Sequence, residues 1–440
     1  MWSVLDQVSA VSDAASPYDS LSIEEVRERG LAGRYRSWGI TLPEGSPKLS
    51  ALKTFEQILP DLFKDSGAET YARATVEEQS AIIDRVVQAY QEADAFPIVY
   101  YSDEAARKEI ASSLKLGAKT NAKATHQVWY SPQTLYFVPG SASRNGVDLC
   151  NWMFPNLFDA RAVTGRSLRT DFMDPEHLAK SVRSILREGK GPDRLTQSKL
   201  RSKGYYPRNF SPMTARAIYH TYLPNGGTVL DPSAGYGGRL LGALTTPGNL
   251  RYIGCDPNDE TIYNLDRLGQ LIESVTGRTD SYELHCRGSQ DLELAPNSVD
   301  LAFTSPPYFD LEIYDEKGAE PGRPSQSVTS FSNVDAWLTR YVRPTSERVR
   351  EALKPGGLFL VNITDYRTGK KDPVTGRQEV MQIVDRWVEH TEGDGFELVN
   401  LHYLAPRARP GDLQNHRKRV KLTDAKPNVE LEPILVFRKS

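Results

Sequence analysis

From about Phe210 to the C-terminus the sequence repeats one pattern: a short apolar run bounded by turn residues, then an amphipathic stretch. The runs are "TVLDP", "RYIGCDP", "YELHC", "VDLAFTSPP", "GLFLVNI", "FELVNLHYLA" and "EPILVFRK". Runs this short and rich in β-branched and aromatic residues predict strands, and most are separated by helical segments. Alternating strand and helix predicts an α/β parallel sheet covered on both faces, because a parallel connection needs a crossover. The last two strands are separated only by a basic loop at about 404–430 without an evident crossover helix, which predicts an antiparallel edge pair. In such a sheet, ligands are expected at the carboxyl ends of the strands.

The rest of the 440-residue chain reads differently, and its length suggests two or three domains. Residues 1–95 are expected to be mainly helical, since "SIEEVRERGLAGRYRSWG" and "ATVEEQSAIIDRVVQAYQEA" place apolar residues three and four apart. Residues 96–204 predict an α+β region, with strand-like "FPIVYYS" and "HQVWYSPQTLYFVPG" turning at Ser131-Pro132. Residues 205–440 form the third region. No apolar run approaches the roughly 18 residues that cross a bilayer, and the N-terminus has no apolar signal core, so a cytosolic location is expected. Cys150, Cys255 and Cys286 are scattered outside any CxxC pair, suggesting buried small hydrophobes and no metal site.

Chemistry is concentrated where the predicted strands end. The first is followed by "LDPSAGYGGRLLGAL", in which Gly235, Gly237 and Gly238 permit a sharp turn and close backbone approach before a helix N-terminus. A dinucleotide fingerprint would place its third glycine where Leu240 stands, which argues against an oxidoreductase. The second strand ends at Asp256, where a carboxylate can accept hydrogen bonds from ribose hydroxyls; the third leads to Asp291, within reach of an adenine amino group. The fourth ends in Thr304-Ser305-Pro306-Pro307-Tyr308.

Asp231-Pro232-Ser-Ala234-Gly235-Tyr-Gly237, then Asp256, Asp291 and Thr304–Tyr308, resemble the ordered motifs of the S-adenosylmethionine-dependent amino-methyltransferases of DNA. The preceding Phe210-Ser211-Pro212 resembles the segment of that family that packs against the methionine moiety of the cofactor. The resemblance covers about residues 205–440 and implies a Rossmann-like, seven-stranded class I methyltransferase domain preceded by a mixed α+β N-terminal domain. It implies that Ser305 and the Pro306 carbonyl accept the N–H bonds of an exocyclic amine, with Tyr308 stacking on a base taken out of the helix. Proline suits this work, having a carbonyl, no N–H and a fixed φ. Serine at 305, where the family commonly carries Asp or Asn, is associated with cytosine N4 ahead of adenine N6. Phe309 reads either as an extension of the platform or as a core aromatic.

Only about 48 residues separate Asp256 from Thr304, so target reading is assigned to the N-terminal half, the insertion at 310–331, or the C-terminal basic loop. That loop carries Arg407, Arg409, Arg417, Lys418 and Arg419, and the strip 181–208 has eight Lys or Arg against two acids, among them Lys199, Arg201 and Lys203. Both predict phosphate contact with duplex DNA on the side of the sheet that holds Tyr308. A formal net charge of -3 excludes only a uniformly basic coat. The competing readings are methylation of RNA bases and a nucleic-acid-binding protein with a degenerate methyltransferase fold; restriction-modification is one compatible setting. The histidines show no ligand spacing, and "NITDY" places Asn362 or Asp365 either near the site or in a cap or turn. No membrane partner is expected, and oligomeric state is left open.

Overall fold

The computed structural model describes residues 20–50, 67–116, 125–129, 134–139, 144–162, 165–201, 206–309, 312–313, 331, 333–371, 376–404 and 431–440. Its centre is a nine-stranded sheet. We label the strands β1 (Thr125–Trp129), β2 (Leu135–Pro139), β3 (Gly227–Asp231), β4 (Leu250–Asp256), β5 (Tyr282–Cys286), β6 (Val299–Thr304), β7 (Leu353–Asn362), β8 (Phe396–Leu404) and β9 (Glu432–Lys439). The spatial order is β1-β2-β8-β9-β7-β6-β3-β4-β5. All seven strands expected after Phe210 are present, and apart from β9 they run parallel to one another. This is the seven-stranded Rossmann-like arrangement of the class I methyltransferase fold.

One expectation needs correction. β8 and β9 are antiparallel as predicted, but they do not form the edge: β8 pairs in parallel with β2, and the β1–β2 hairpin extends the sheet. A hairpin contributed by distant sequence covers the exposed ladder of β8, an edge that local patterning could not show to be occupied.

Buried strands pack on both faces, and alternate residues point to opposite sides. Val229, Leu301, Phe303 and Leu360 join one core cluster, whereas Leu230, Ala302, Phe359 and Val361 join the other. The first face is covered by α4 (Pro212–Tyr222), α5 (Gly238–Leu244) and α6 (Asp259–Thr276), together with helices of the N-terminal half. Those include α1 (Ile23–Leu31) and α2 (Val76–Glu92), each opened by a capping box, and α3 (Pro175–Arg187). The opposite face is covered by α7 (Arg343–Ala352) and α8 (Val384–Gly393). Among the described residues no helix is long and apolar enough to cross a membrane. Cys150, Cys255 and Cys286 are all buried.

Candidate active site

β3 and β6 are neighbours in the sheet, with Leu230 opposite Ala302, and the strand order reverses between them. The glycine turn and the Thr304–Tyr308 loop therefore leave the sheet side by side at a topological switch point, where an open α/β sheet has its crevice.

The glycine turn is held from below. Asp231 is fully buried and receives Arg239 Nε at 2.7 Å and the Tyr252 hydroxyl at 2.8 Å; Arg239 also donates to the Ser233 carbonyl. A buried carboxylate needs this kind of pairing, so Asp231 anchors the loop. Gly235 and Gly237 both have positive φ, at 57° and 79°. A side chain at Gly237 would stand 2.6 Å from the Phe154 ring, whereas at Gly235 nothing lies closer than 3.8 Å. The first glycine is thus uncrowded, and the second lets the N-terminal half pack close. The Ala234 amide donates to the Cys255 carbonyl at 2.9 Å, tying the turn to β4.

Asp256, at the end of β4, accepts the Gly235 amide at 3.1 Å and the Asn258 amide at 3.0 Å. Burial pushes its carboxyl up to about 6, against the lowering effect of the two amides. Asp291 is half-buried in a short 3-10 turn, Ser289–Asp291. Phe210 lies edge-on to Phe303 at 5.6 Å, beneath the Arg239 guanidinium; Ser211 caps α4 by accepting the Thr214 amide, and Pro212 occupies its first turn. Pro232 is buried directly after Asp231.

In the loop itself, Thr304 is buried and its Oγ1 has no hydrogen-bond partner. Pro306 is buried, while Ser305, Pro307 and Tyr308 are half-buried. The Tyr308 ring stands edge-on to Tyr366 at 5.7 Å. Phe309 is core: it packs on Trp337, centroids 6.2 Å apart. In "NITDY", Asp365 accepts the amides of Ile383 and Val384 at the start of α8, Asn362 donates to the Pro433 carbonyl, and Tyr366 is the residue that reaches the loop.

Sequence patterning missed the groups acting from below or from afar: Arg239, Tyr252, Phe154 and Tyr341. Tyr341 lies in a single π-helical turn, Leu338–Val342, and its hydroxyl is 2.9 Å from Ser233 Oγ; Ser289 Oγ is 3.0 Å from Thr345 Oγ1. Lys199 gives its ammonium to Glu188, and the Arg201 guanidinium lies over the Tyr206 ring at 5.3 Å. Lys203, Arg407, Arg409, Arg417, Lys418 and Arg419 fall outside the described residues, as does most of the 310–331 insertion.

The class that this sheet and its strand-end loops define is the Rossmann-like methyltransferase fold. Residues 299–440 match the family described as DNA methylase, of the N6- and N4-methylating type. A type II methyltransferase, M.MwoI of Methanothermobacter wolfeii, is 27% identical over 148 residues, which are 33% of this chain and 19% of that relative's length. Among solved structures, a phosphoethanolamine N-methyltransferase 2 of Haemonchus contortus aligns with a TM-score of 0.31 and 17% identity, covering 51% of this chain and 52% of that one. TrmN of Thermus thermophilus aligns with a TM-score of 0.31 and 13% identity, covering 52% and 49%.

Proposed function

We propose that this chain is an S-adenosylmethionine-dependent DNA amino-methyltransferase that methylates an exocyclic amino group of a flipped base, cytosine N4 ahead of adenine N6. The observation that carries the reading is the emergence of Thr304–Tyr308 beside the Gly235–Gly237 turn at the switch point. The residues present fit the cofactor: an uncrowded glycine at Gly235, a carboxylate ending β4 at Asp256, and Asp291 on the next loop. Bound S-adenosylmethionine supplies an electrophilic methyl group on a sulfonium centre.

The chain's own residues prepare the nucleophile. An exocyclic amine is weakly nucleophilic because its lone pair is delocalised into the ring. The Ser305 hydroxyl and the Pro306 carbonyl accept its N–H bonds, which draws the nitrogen toward a tetrahedral form and localises the pair. Pro306 is held by burial, so its acceptor is preorganised. Tyr308, with Tyr366 at its edge, offers a ring face that offsets part of the few kcal/mol spent on unstacking the base. The methyl group would leave the sulfonium, whose sulfur keeps the bonding pair as a neutral thioether, as it bonds to nitrogen, and the amine would release one proton to solvent, so charge balances without a covalent enzyme intermediate.

Sequencing of modified bases in DNA from cells expressing the chain, beside labelled methyl transfer to duplex DNA and to RNA in vitro, tests this. The expected product is N4-methylcytosine in DNA, reduced on the order of 100-fold in Tyr308→Ala and in Ser305→Ala. Methyl transfer to RNA alone, or cofactor binding with no transfer to any nucleic acid, would overturn it.

A further inference from the structure

We infer that helix α3 is a duplex-DNA docking surface, gripping the phosphate backbone through Lys180, Arg183 and Arg187. This rests on the DNA reading above and adds the place where the N-terminal half meets the substrate. The three cations sit at i, i+3 and i+7 of one helix, one above the other over about 10 Å of axis. With Ser184 and Glu188 they line an open groove of about 440 Å³. Among the described residues these three make no ion pair. Glu188, the acid in the groove, is already bonded to Lys190 and Lys199 and held down to about 2 by them. The groove is therefore strongly cationic and meets the charge of a polyanion.

The ordinary alternative is a solvated helix face, and two features argue against it. First, the platform is rigid: Leu178, Val182, Ile185 and Leu186 on the opposite side of α3 are buried. Asp174 caps the helix through the amides of Glu176 and His177, and Arg166 clamps both Asp174 and the buried Asp171. Secondly, the platform is joined to the catalytic loop. Just upstream of Arg166, Arg161–Ala162 pairs antiparallel with Glu312–Ile313, which begins four residues after Tyr308. One short run of chain thus connects the outlet of the Thr304–Tyr308 loop to the cap of the cationic helix. It also transfers the phosphate contact expected of the 181–208 strip from Lys199 to the face of α3.

Fluorescence anisotropy of the full chain with a short mixed-sequence duplex, titrated across salt concentrations, tests the assignment. The triple variant Lys180→Ala/Arg183→Ala/Arg187→Ala is expected to bind at least tenfold more weakly at low salt and to lower the log–log salt slope by about 2 to 3. Arg183→Lys/Arg187→Lys, which keeps the charges, is expected to keep the slope. S-adenosylmethionine binding by calorimetry, unchanged in all variants, shows that the fold is intact. Wild-type binding with an unaltered slope in the triple variant overturns this inference alone. Failure of the wild-type chain to bind duplex DNA overturns the DNA reading and this inference together.

Discussion

The hydroxyl of Tyr341 joins two stretches of chain: the loop after β3, through Ser233, and the π-helical turn that follows the 310–331 insertion. Burial pushes the phenol up to about 12, so it keeps its proton and can donate to the Ser233 hydroxyl or accept from it. Tyr341→Phe leaves Ser233 facing a ring, at about 1 kcal/mol for the lost bond. Because Ser233 lies between Pro232 and Ala234, both assigned to the cofactor, the expected effect is a several-fold rise in the KM for S-adenosylmethionine with a smaller change in kcat. Steady-state kinetics read this directly; an equal fall in kcat and kcat/KM would sink the positioning role. The contrast with Asp256 shows what patterning reveals at this scale. A carboxylate ending a predicted strand announces itself by position. Tyr341 does not, since its partner Ser233 lies 108 residues away and a π turn leaves no local signature.

Elements are more legible than single contacts, because hydrophobic period and glycine punctuation act locally. The seven strands and the helix after the glycine turn are where the alternation puts them. What stays hidden is the closeness of approach between elements, and α4 against α5 is the example. A Cβ on Gly242 would lie 2.6 Å from the Pro212 carbonyl and 2.7 Å from Ala215 Cβ, so glycine there lets the two helices touch. Since α4 opens with Phe210-Ser211-Pro212, this contact also fixes the segment assigned to the methionine moiety. Gly242→Ala improves helix propensity by about 1 kcal/mol, but overpacking at a backbone contact costs about 1 to 3 kcal/mol and should win. Urea unfolding is expected to show net destabilisation, with weaker S-adenosylmethionine binding at temperatures where the variant is still folded. A gain in stability would mean that the helices separate freely.

On the scale of the whole molecule the N-terminal half and the methyltransferase fold share one sheet and one core cluster, which the change of texture near residue 205 does not announce. Among the polar contacts that tie them, two stand near the junction of the hairpin with the sheet. The buried Arg216 of α4 donates to the carbonyls of Ser113 and Leu116, and His402 of β8 accepts the Leu135 amide of β2 at Nδ1, 3.0 Å away. With Nδ1 an acceptor, the ring proton sits on Nε2, facing the Tyr222 hydroxyl at 2.5 Å. Burial depresses the His402 pKa from 6.5 to about 4. Between those values the unfolded chain binds a proton that the folded one refuses. The contribution is therefore fully present above about pH 6.5 and is lost as pH falls toward 4, at up to about 1.4 kcal/mol per pH unit. His402→Gln keeps an acceptor and a donor without titrating. Urea unfolding at pH 7.5 and pH 5 is expected to show the wild-type chain losing more stability than the variant. Because the β1–β2 hairpin is a continuation of the sheet, tryptophan fluorescence and far-ultraviolet circular dichroism should report one midpoint at each pH. An identical pH dependence in the two proteins would remove His402 from the junction, and separated midpoints would show two halves that fold independently.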